Sequence, residues 1–239
     1  MIHEFSRTGM LIGETGLRAL AESRVAVFGV GGVGSHAIEA LARSGVGSLA
    51  LVDNDTVSLT NINRQSIALH STVGRYKTQV MKEKIADINP RCNVSTFETF
   101  VLPDNLEELF GQIGPVDYIL DAIDTVTAKL ALIVYAQSHD IPIVASMGTG
   151  NKLHPELFQI SDIYKTSVCP LCKVMRRELK ARQVKKLTVC WSPELPLTPG
   201  PTEEDTGARR ATPGSIAFVP PVAGLLIAGK IVRDLCGLE

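Results

Sequence analysis

The sequence predicts an α/β protein in which a doubly wound, mainly parallel sheet is followed by a C-terminal extension of strands and helices. Short apolar runs alternate with segments of helical composition over residues 24–150, and this alternation is typical of strand–helix–strand units. Several of the runs end on an acidic residue or a glycine, at the sheet edge where such folds bind ligands. From about residue 151 the alternation is lost, so residues 151–239 are expected to extend the same fold.

The individual elements follow from local composition. Residues 1–23 are expected to form a lead-in helix or arm, and residues 24–150 a Rossmann-like nucleotide-binding domain. In that domain the predicted strands are 25–28, Ser48–Val52, Asn93–Phe97, 118–120 and 141–146, and the predicted helices are 35–44, 77–89, 103–110 and 127–139. In the extension we predict strands at 157–161, 187–192 and 217–219, helices at 170–182 and 221–236, and a mobile loop at 193–214, which is rich in Pro and Gly.

The composition favours a cytoplasmic globular protein. The net charge of −1 over 239 residues argues against a protein that coats nucleic acid, so any RNA binding would need a local patch. No signal peptide is visible, and no membrane span is expected because the longest apolar run, 216–228, is too short and contains two prolines. Five cysteines, an odd number, do not indicate a secreted disulfide framework.

A glycine-rich turn after the first strand predicts a nucleotide site. Its glycines are Gly29, Gly31, Gly32 and Gly34. In this G-x-G-x-x-G pattern the glycines allow a tight turn, close approach of the backbone to phosphate and close packing of helix on strand, while the helix N-terminus attracts an anion. The second strand ends on Asp53, about 20 residues later, where a carboxylate can accept from ribose hydroxyls. The alternative is a turn that only packs the helix on the strand.

The glycine pattern alone fits a dinucleotide, but charged residues further along favour ATP. Arg64 and Lys77 could both reach a triphosphate, whose leaving pyrophosphate needs positive charge. Asp121 and Asp124 end a strand at the same edge and suit Mg²⁺, which takes one or two carboxylates together with phosphate oxygens. No histidine suited to a proton relay is apparent in a second half. Ordinary alternatives exist, with Lys77 as a surface charge and Asp124 as a helix N-cap.

Together these dispersed motifs resemble the adenylating fold of the ubiquitin-activating-enzyme superfamily, which includes the bacterial MoeB, ThiF and HesA proteins. The matching segments are Gly29-x-Gly31-Gly32-x-Gly34, Asp53-x-Asp55, Asn61-x-Asn63-Arg64-Gln65, Lys77 and Asp121-x-x-Asp124. The resemblance implies an ATP site formed by these residues, with Asp53 on the ribose. It also implies that Asn61, Arg64 and Lys77 bind the triphosphate and that Asp121, together with Asp124, binds Mg²⁺.

The resemblance also implies a homodimer. Arg7 is similar to an N-terminal arginine of the family that reaches the ATP of the partner subunit. An arginine supplied in trans can be worth roughly 10³–10⁵ in the rate of phosphoryl transfer. The residues with implied catalytic roles are therefore Arg7, Arg64, Lys77 and Asp121. A monovalent cation and a sulfur-relay partner are compatible with the sequence but are not indicated by any motif.

Two carboxylate substrates compete. In the first hypothesis the protein adenylates the C-terminus of a ubiquitin-like sulfur carrier, as MoeB and ThiF do. Those relatives hold zinc with two C-x-x-C pairs, whereas this chain has only Cys169 and Cys172 as a pair, with Cys190 and Cys236 as single residues, so structural zinc is not expected. The segment 193–214, where relatives carry a reactive cysteine, contains none. Cys190 lies just before it, and burial in a strand is its favoured explanation.

In the second hypothesis the substrate is tRNA. Four cations, Lys173, Arg176, Arg177 and Lys180, have the spacing of one helix face, and such a concentrated basic patch suits phosphates. A solvated helix face is the plain alternative.

The C-terminal segments resemble the bacterial tRNA threonylcarbamoyladenosine dehydratases. These segments are Asp162-Ile163-Tyr164-Lys165-Thr166, Ser192-Pro193-Glu194 and 214–220, together with Asp121-Ala122-Ile123-Asp124. The resemblance implies that ATP activates the threonyl carboxylate of the modified adenosine. The neighbouring ureido group then closes a ring, and AMP and pyrophosphate leave. An intramolecular nucleophile has high effective molarity, so no enzyme nucleophile is required. We predict this reaction. The alternatives are the sulfur-carrier adenylyltransferase and a nucleotide sensor that binds ATP without turnover.

Overall fold

The fold is built on a single β-sheet. The computed structural model describes residues 2–201 and 213–238, and in those residues the strands are β1 (Arg24–Phe28), β2 (Ser48–Val52), β3 (Asn93–Phe97), β4 (Tyr118–Asp121), β5 (Ile143–Ser146), β6 (Gln159–Asp162) and β7 (Thr188–Trp191). They lie in the order β3-β2-β1-β4-β5-β7-β6, and every neighbouring pair is parallel except β6–β7. The predicted doubly wound, mainly parallel α/β fold is confirmed, and the C-terminal extension adds its two strands to the same sheet.

The helices cover both faces of this sheet. They are α1 (Ser6–Glu22), α2 (Gly34–Ser44), α3 (Lys77–Ile88), α4 (Leu106–Ile113), α5 (Val126–Ser138), α6 (Pro170–Ala181) and α7 (Val219–Leu235). Successive residues of β1 point to opposite faces. Val25 and Val27 therefore pack in the layer of α2 and α7, and Ala26 and Phe28 pack in the layer of α4 and α5. Within the described residues, no helix is long and apolar enough to cross a lipid bilayer.

The C-terminal helix braces the helix that follows the glycine turn. α7 crosses α2 at Gly224, where an added Cβ would lie 2.4 Å from the carbonyl oxygen of Val33. Only glycine allows this close approach of the two backbones. The apolar contacts of α7 continue through Ala223 and Ile227, which are fully buried. α7 therefore supports the N-terminus of α2.

Three predictions for the extension need comment. The strand predicted at 217–219 is wrong, because residues 217–218 form a turn and Val219 begins α7. The following prolines occupy the first turn of that helix, where a missing N–H is tolerated. The strand predicted at 157–161 begins two residues later, since Pro155–Leu157 forms a 3-10 turn. In the predicted loop, residues 193–201 and 213–214 have no helix or strand, and 202–212 lie outside the described residues.

Candidate functional site

A cavity of about 630 Å³ lies at the carboxyl edge of the sheet. Its walls come from segments at the carboxyl ends of five parallel strands. These are the glycine turn after β1, residues 53–55 after β2, 99–101 after β3, 122–125 after β4 and 146–150, which begin with the last residue of β5. Ligands bind at this edge in open α/β sheets, and the volume is within the usual range for small-molecule sites.

The glycine turn is shaped by two close approaches. Gly29 has a φ of 95°, a left-handed value that strongly favours glycine. At Gly34, the first residue of α2, an added Cβ would lie 1.8 Å from the carbonyl oxygen of Gly29, so no side chain fits. At Gly31 an added Cβ would meet only Gln65 Nε2, at 3.9 Å, on the cavity side. The turn thus leaves bare backbone and the N-terminus of α2 facing the cavity, as an anion site requires.

Asp53 links the second strand to this turn. Its Oδ2 accepts from the Val30 N–H at 2.6 Å, and its Oδ1 accepts from the Asp55 N–H at 2.8 Å. Burial raises the pKa of the Asp53 carboxyl, against the opposing effects of the Lys77 charge and these two N–H groups. Asp53 also lines the cavity. The predicted ribose acceptor therefore already accepts two backbone hydrogen bonds and helps to hold the turn.

The two predicted phosphate-binding cations also line the cavity. Lys77 begins α3, is 6% exposed, and has its Nζ 2.6 Å from Asp55 Oδ2. Arg64 Nη1 donates to Thr60 O and to Asn63 Oδ1, each at 2.9 Å. Both side chains are thus held by neighbouring acceptors, so their positive charges are already oriented before a ligand binds.

Two predicted polar residues complete this wall. Asn61 lies at the end of a 3-10 turn, Leu59–Asn61, and its Oδ1 accepts from the Ser58 N–H at 3.1 Å. Gln65 is buried, and its Oε1 accepts no hydrogen bond from any described residue. A buried acceptor without a partner is unfavourable, so a donor on a ligand would stabilise this side of the cavity. Both residues line it.

The two predicted magnesium ligands lie in different environments. Asp124 is exposed and lines the cavity. Asp121 is fully buried and does not line it; its Oδ2 lies 2.9 Å from the Nζ of Lys129, which is also fully buried. Burial raises the pKa of the Asp121 carboxyl, whereas the Lys129 ammonium acts in the opposite direction. The Asp121 carboxylate thus faces a buried lysine, whereas that of Asp124 faces the cavity, and the assignment of both residues to Mg²⁺ stays a prediction.

Lys129 was not predicted, although it connects Asp121 to the cavity wall. Its Nζ also donates to the carbonyl oxygen of Ile123 at 3.1 Å, and Asp121 Oδ1 accepts from the Ile123 N–H at 3.1 Å. The buried ion pair of Asp121 and Lys129 therefore holds the backbone of the segment that carries Asp124. A lysine eight residues after a strand-ending aspartate carries no periodic signal that the sequence alone could reveal.

Several other cavity residues were also missed. They are residues 99–101, 146–150, 171, 213–215 and 220. The first two groups follow β3 and β5, so the strand-end rule could have found them. The segment 213–215 is brought in by long-range contacts: the Gly214 N–H donates to Asn151 Oδ1 at 2.6 Å, and Asn63 Nδ2 donates to Ser215 O at 2.9 Å. Residues more than sixty positions apart make these contacts, and local pattern gives no sign of them.

The four cations of the predicted basic face of α6 lie in two different environments. Lys173, Arg177 and Lys180 are exposed, but Arg176 is half-buried and its Nη1 donates to Thr166 O at 2.9 Å. Arg177 forms a 2.8 Å ion pair with Glu178. Three of the four cations could therefore meet a phosphate backbone, whereas Arg176 holds the helix to the preceding loop.

Arg7 and Cys190 lie outside the cavity wall. Arg7 is exposed on α1. Cys190 is fully buried in β7, and burial raises the pKa of its thiol to about 12, so it is a poor nucleophile. Among the described residues, no three His, Cys, Asp or Glu side chains are grouped to hold a metal ion.

Comparisons with known proteins agree with this architecture. The ThiF family matches residues 5–239. A tRNA threonylcarbamoyladenosine dehydratase of Bacillus subtilis is 46% identical over 244 residues, covering 98% of this chain and 95% of that protein. The crystal structure of E. coli tRNA N6-threonylcarbamoyladenosine dehydratase, TcdA, in complex with ATP has a TM-score of 0.88 at 35% identity, covering 98% of this chain and 94% of that chain.

A more distant structure, E. coli MccB, is 18% identical with a TM-score of 0.69, covering 100% of this chain and 66% of that chain; it shows the shared fold alone. The family match spans both the glycine turn and the C-terminal extension. The chain belongs to the ThiF family, in the group that contains the tRNA threonylcarbamoyladenosine dehydratases.

Proposed function

We propose that this protein is an ATP-dependent tRNA threonylcarbamoyladenosine dehydratase. It uses ATP to adenylate the threonyl carboxylate of threonylcarbamoyladenosine in tRNA, and the nucleoside then cyclises with loss of water. The observation that carries the proposal is the match to TcdA over nearly the whole of both chains, and the structure of TcdA was determined with ATP. The cavity of the present chain combines the N-terminus of α2 with Arg64 and Lys77. That arrangement is suited to a triphosphate because it offers both backbone N–H groups and fixed cations.

Residues of this chain have distinct tasks in ATP binding. Asp53 accepts from the ribose hydroxyls at the mouth of the glycine turn, and the N–H groups at the start of α2 meet the phosphates. Arg64 and Lys77 face the β- and γ-phosphates and stabilise the charge of the leaving pyrophosphate. Lys77 shares its charge between Asp55 and the ligand, since its Nζ is 2.6 Å from Asp55 Oδ2. Gln65 Oε1, which lacks a partner among the described residues, accepts from a ligand donor.

Asp124 is the residue we assign to Mg²⁺. Its carboxylate is exposed in the cavity wall, and one carboxylate plus phosphate oxygens is an ordinary magnesium environment. The ion would supply positive charge to the phosphate oxygens. Asp121 and Lys129 act through position, because together they hold the backbone of Ile123, next to Asp124.

The cyclisation needs no nucleophile from the protein. The ureido nitrogen is part of the same nucleoside as the activated carboxyl, so holding the two groups together supplies most of the advantage. The buried thiol of Cys190 is consistent with this mechanism, because an enzyme that forms a thioester needs an accessible thiolate.

The partners follow from the same function. The tRNA backbone binds along the exposed cations of α6, Lys173, Arg177 and Lys180. A homodimer places Arg7 of each subunit at the ATP of its partner, where its charge assists departure of pyrophosphate. A tRNA substrate also locates the enzyme in the cytoplasm.

The decisive experiment is mass spectrometry of nucleosides from tRNA that carries threonylcarbamoyladenosine, after incubation with the protein, ATP and Mg²⁺ and mild work-up. We expect the nucleoside to lose the mass of one water only when ATP is present, with AMP released. An unchanged nucleoside, with ATP-dependent adenylation of a Gly-Gly-ended carrier protein, would instead support the sulfur-carrier activity. ATP binding without AMP release on either substrate would indicate a nucleotide sensor.

A further inference from the structure

A pair of cysteines lies directly behind the cavity wall. Cys169 is the N-cap of α6 and Cys172 lies in its first turn, and both side chains are buried. An added Cβ at Gly148, a cavity residue, would be 4.0 Å from Cys169 Sγ. Leu171, between the two cysteines, also lines the cavity. The proposed phosphate and tRNA contacts use neither thiol, so the pair is not explained by those contacts.

The two thiols are unequal. Hydrogen bonding from the Cys172 thiol is the main influence that lowers the pKa of Cys169; burial opposes it, and the N–H groups of Cys172, Gly148 and Leu171 lower it further. The same hydrogen bond, with burial, raises the pKa of Cys172. A Cys-x-x-Cys pair at a helix N-terminus is the arrangement in which the first thiol becomes the attacking thiolate.

The two residues before the pair, Ser167 and Val168, are exposed. Val168 is 49% exposed and has a φ of 56°, a left-handed value that is rare for a β-branched residue. The preceding Thr166 is buried and bound by Arg176. Cys169, at 2% exposed, thus adjoins an exposed, strained residue, whereas Cys172 is fully buried, so a reagent that enters through this segment would reach Cys169 first.

We propose that Cys169 and Cys172 form a redox-active dithiol site that reacts with a low-molecular-weight disulfide such as oxidised glutathione, and that closure of the pair weakens the nucleotide cavity at Gly148. The proposal depends on the cavity and holds whichever carboxylate the protein activates.

The reaction balances in two exchanges. The Cys169 thiolate attacks one sulfur of oxidised glutathione, a mixed disulfide forms, and the first glutathione leaves as a thiolate that takes up a proton. Cys172 then attacks the Cys169 sulfur, loses its proton and releases the second glutathione. The protein dithiol is oxidised by two electrons, and one small disulfide is reduced to two thiols. Cys169 Sγ, which lies directly behind Gly148, thereby loses its negative charge.

The test compares reduced and oxidised wild-type protein, so it does not depend on a variant that folds. After incubation with oxidised glutathione and alkylation of free thiols, trypsin releases residues 166–173 as one peptide that contains both cysteines. We expect this peptide to be two hydrogens lighter and unalkylated, and to return to the dithiol on reduction. By calorimetry, oxidation should weaken ATP binding about 3- to 10-fold, the worth of one hydrogen bond, and reduction should restore it.

Two variants sharpen the result. Cys172→Ser should accumulate glutathione on Cys169, since the resolving thiol is gone. Cys92→Ser removes a half-buried single thiol and should respond like the wild type. A peptide 166–173 that keeps both free thiols, an unchanged ATP affinity after the disulfide forms, or loss of the response in Cys92→Ser would each overturn the proposal.

Discussion

Lys129 and Asp121 form an ion pair from which solvent is excluded, 2.9 Å between Nζ and Oδ2. Breaking a buried pair is costly because one charge is left without its partner. We expect Lys129→Met to lower the free energy of unfolding by about 3–5 kcal/mol, measured by urea denaturation. Adding Asp121→Asn to that variant should recover part of the loss, since the carboxylate charge is then gone. Simple additivity of the two single changes would show that the pair is not coupled.

The glycine turn allows a matched comparison of two single-methyl changes. Gly34→Ala places a Cβ 1.8 Å from a carbonyl oxygen, so we expect it to destabilise the protein by about 4 kcal/mol or more, or to prevent folding. Gly31→Ala would meet only Gln65 Nε2, at an ordinary contact distance of 3.9 Å on the cavity side. It should leave the melting temperature nearly unchanged and weaken ATP binding at least about tenfold, the effect of about 1.4 kcal/mol. Equal ATP affinity in Gly31→Ala and the wild type would exclude close phosphate approach at this position.

At the scale of elements, the cations of α6 are expected to have two roles: the exposed ones bind tRNA, and Arg176 stabilises the fold. Lys173→Glu with Lys180→Glu reverses two exposed charges. We expect tRNA affinity to fall and the slope of log K against log salt to drop by about one per lysine, with ATP affinity unchanged. Lys82→Glu, an exposed cation on α3, is the matched control. Equal weakening of tRNA binding by the control would argue against a localised tRNA surface.

Arg176 should behave differently from its neighbours on α6. Because its guanidinium donates to Thr166, Arg176→Ala should cost about 1–3 kcal/mol of stability, measured by thermal unfolding. The salt slope of tRNA binding should stay near that of the wild type. A lowered slope with unchanged stability would assign Arg176 to the tRNA surface instead.

Local patterns predicted most elements because strand, turn and helix signals act over a few residues. The parallel pairing of β1 to β5 and the glycine turn follow from the sequence alone, and so does the expectation that Asp53, Arg64 and Lys77 meet at one edge of the sheet. Patterns failed where distant partners decide the outcome. Asp121 is paired with the buried Lys129, whereas Asp124 faces the cavity. The guanidinium of Arg176 is bound by Thr166 and is not free on the helix surface. Residues 213–215 are held at the cavity by hydrogen bonds with Asn63 and Asn151.

At the scale of the whole molecule, the proposed homodimer can be tested by complementation. Arg7→Ala should keep its fold, because Arg7 is exposed, but should lose most AMP formation. Asp124→Ala should be inactive because the subunit that carries it lacks the proposed magnesium ligand in its own cavity. When the two variants are mixed and allowed to exchange subunits, random assortment of dimers should restore roughly a quarter of wild-type activity. Recovery shows that Arg7 acts in trans. No recovery, with exchange verified by mass spectrometry, would mean that each subunit relies on its own arginine.

The contact of α7 with α2 has a consequence for how the protein is made. The glycine turn is synthesised long before α7, yet α7 covers the apolar side of α2, the helix that follows this turn. The contact extends to the close approach of Gly224 to Val33. A nascent polypeptide therefore exposes the apolar side of α2 until α7 has been synthesised. Deletion of the 17 residues of α7, Val219–Leu235, would leave that surface open to chaperones and proteases.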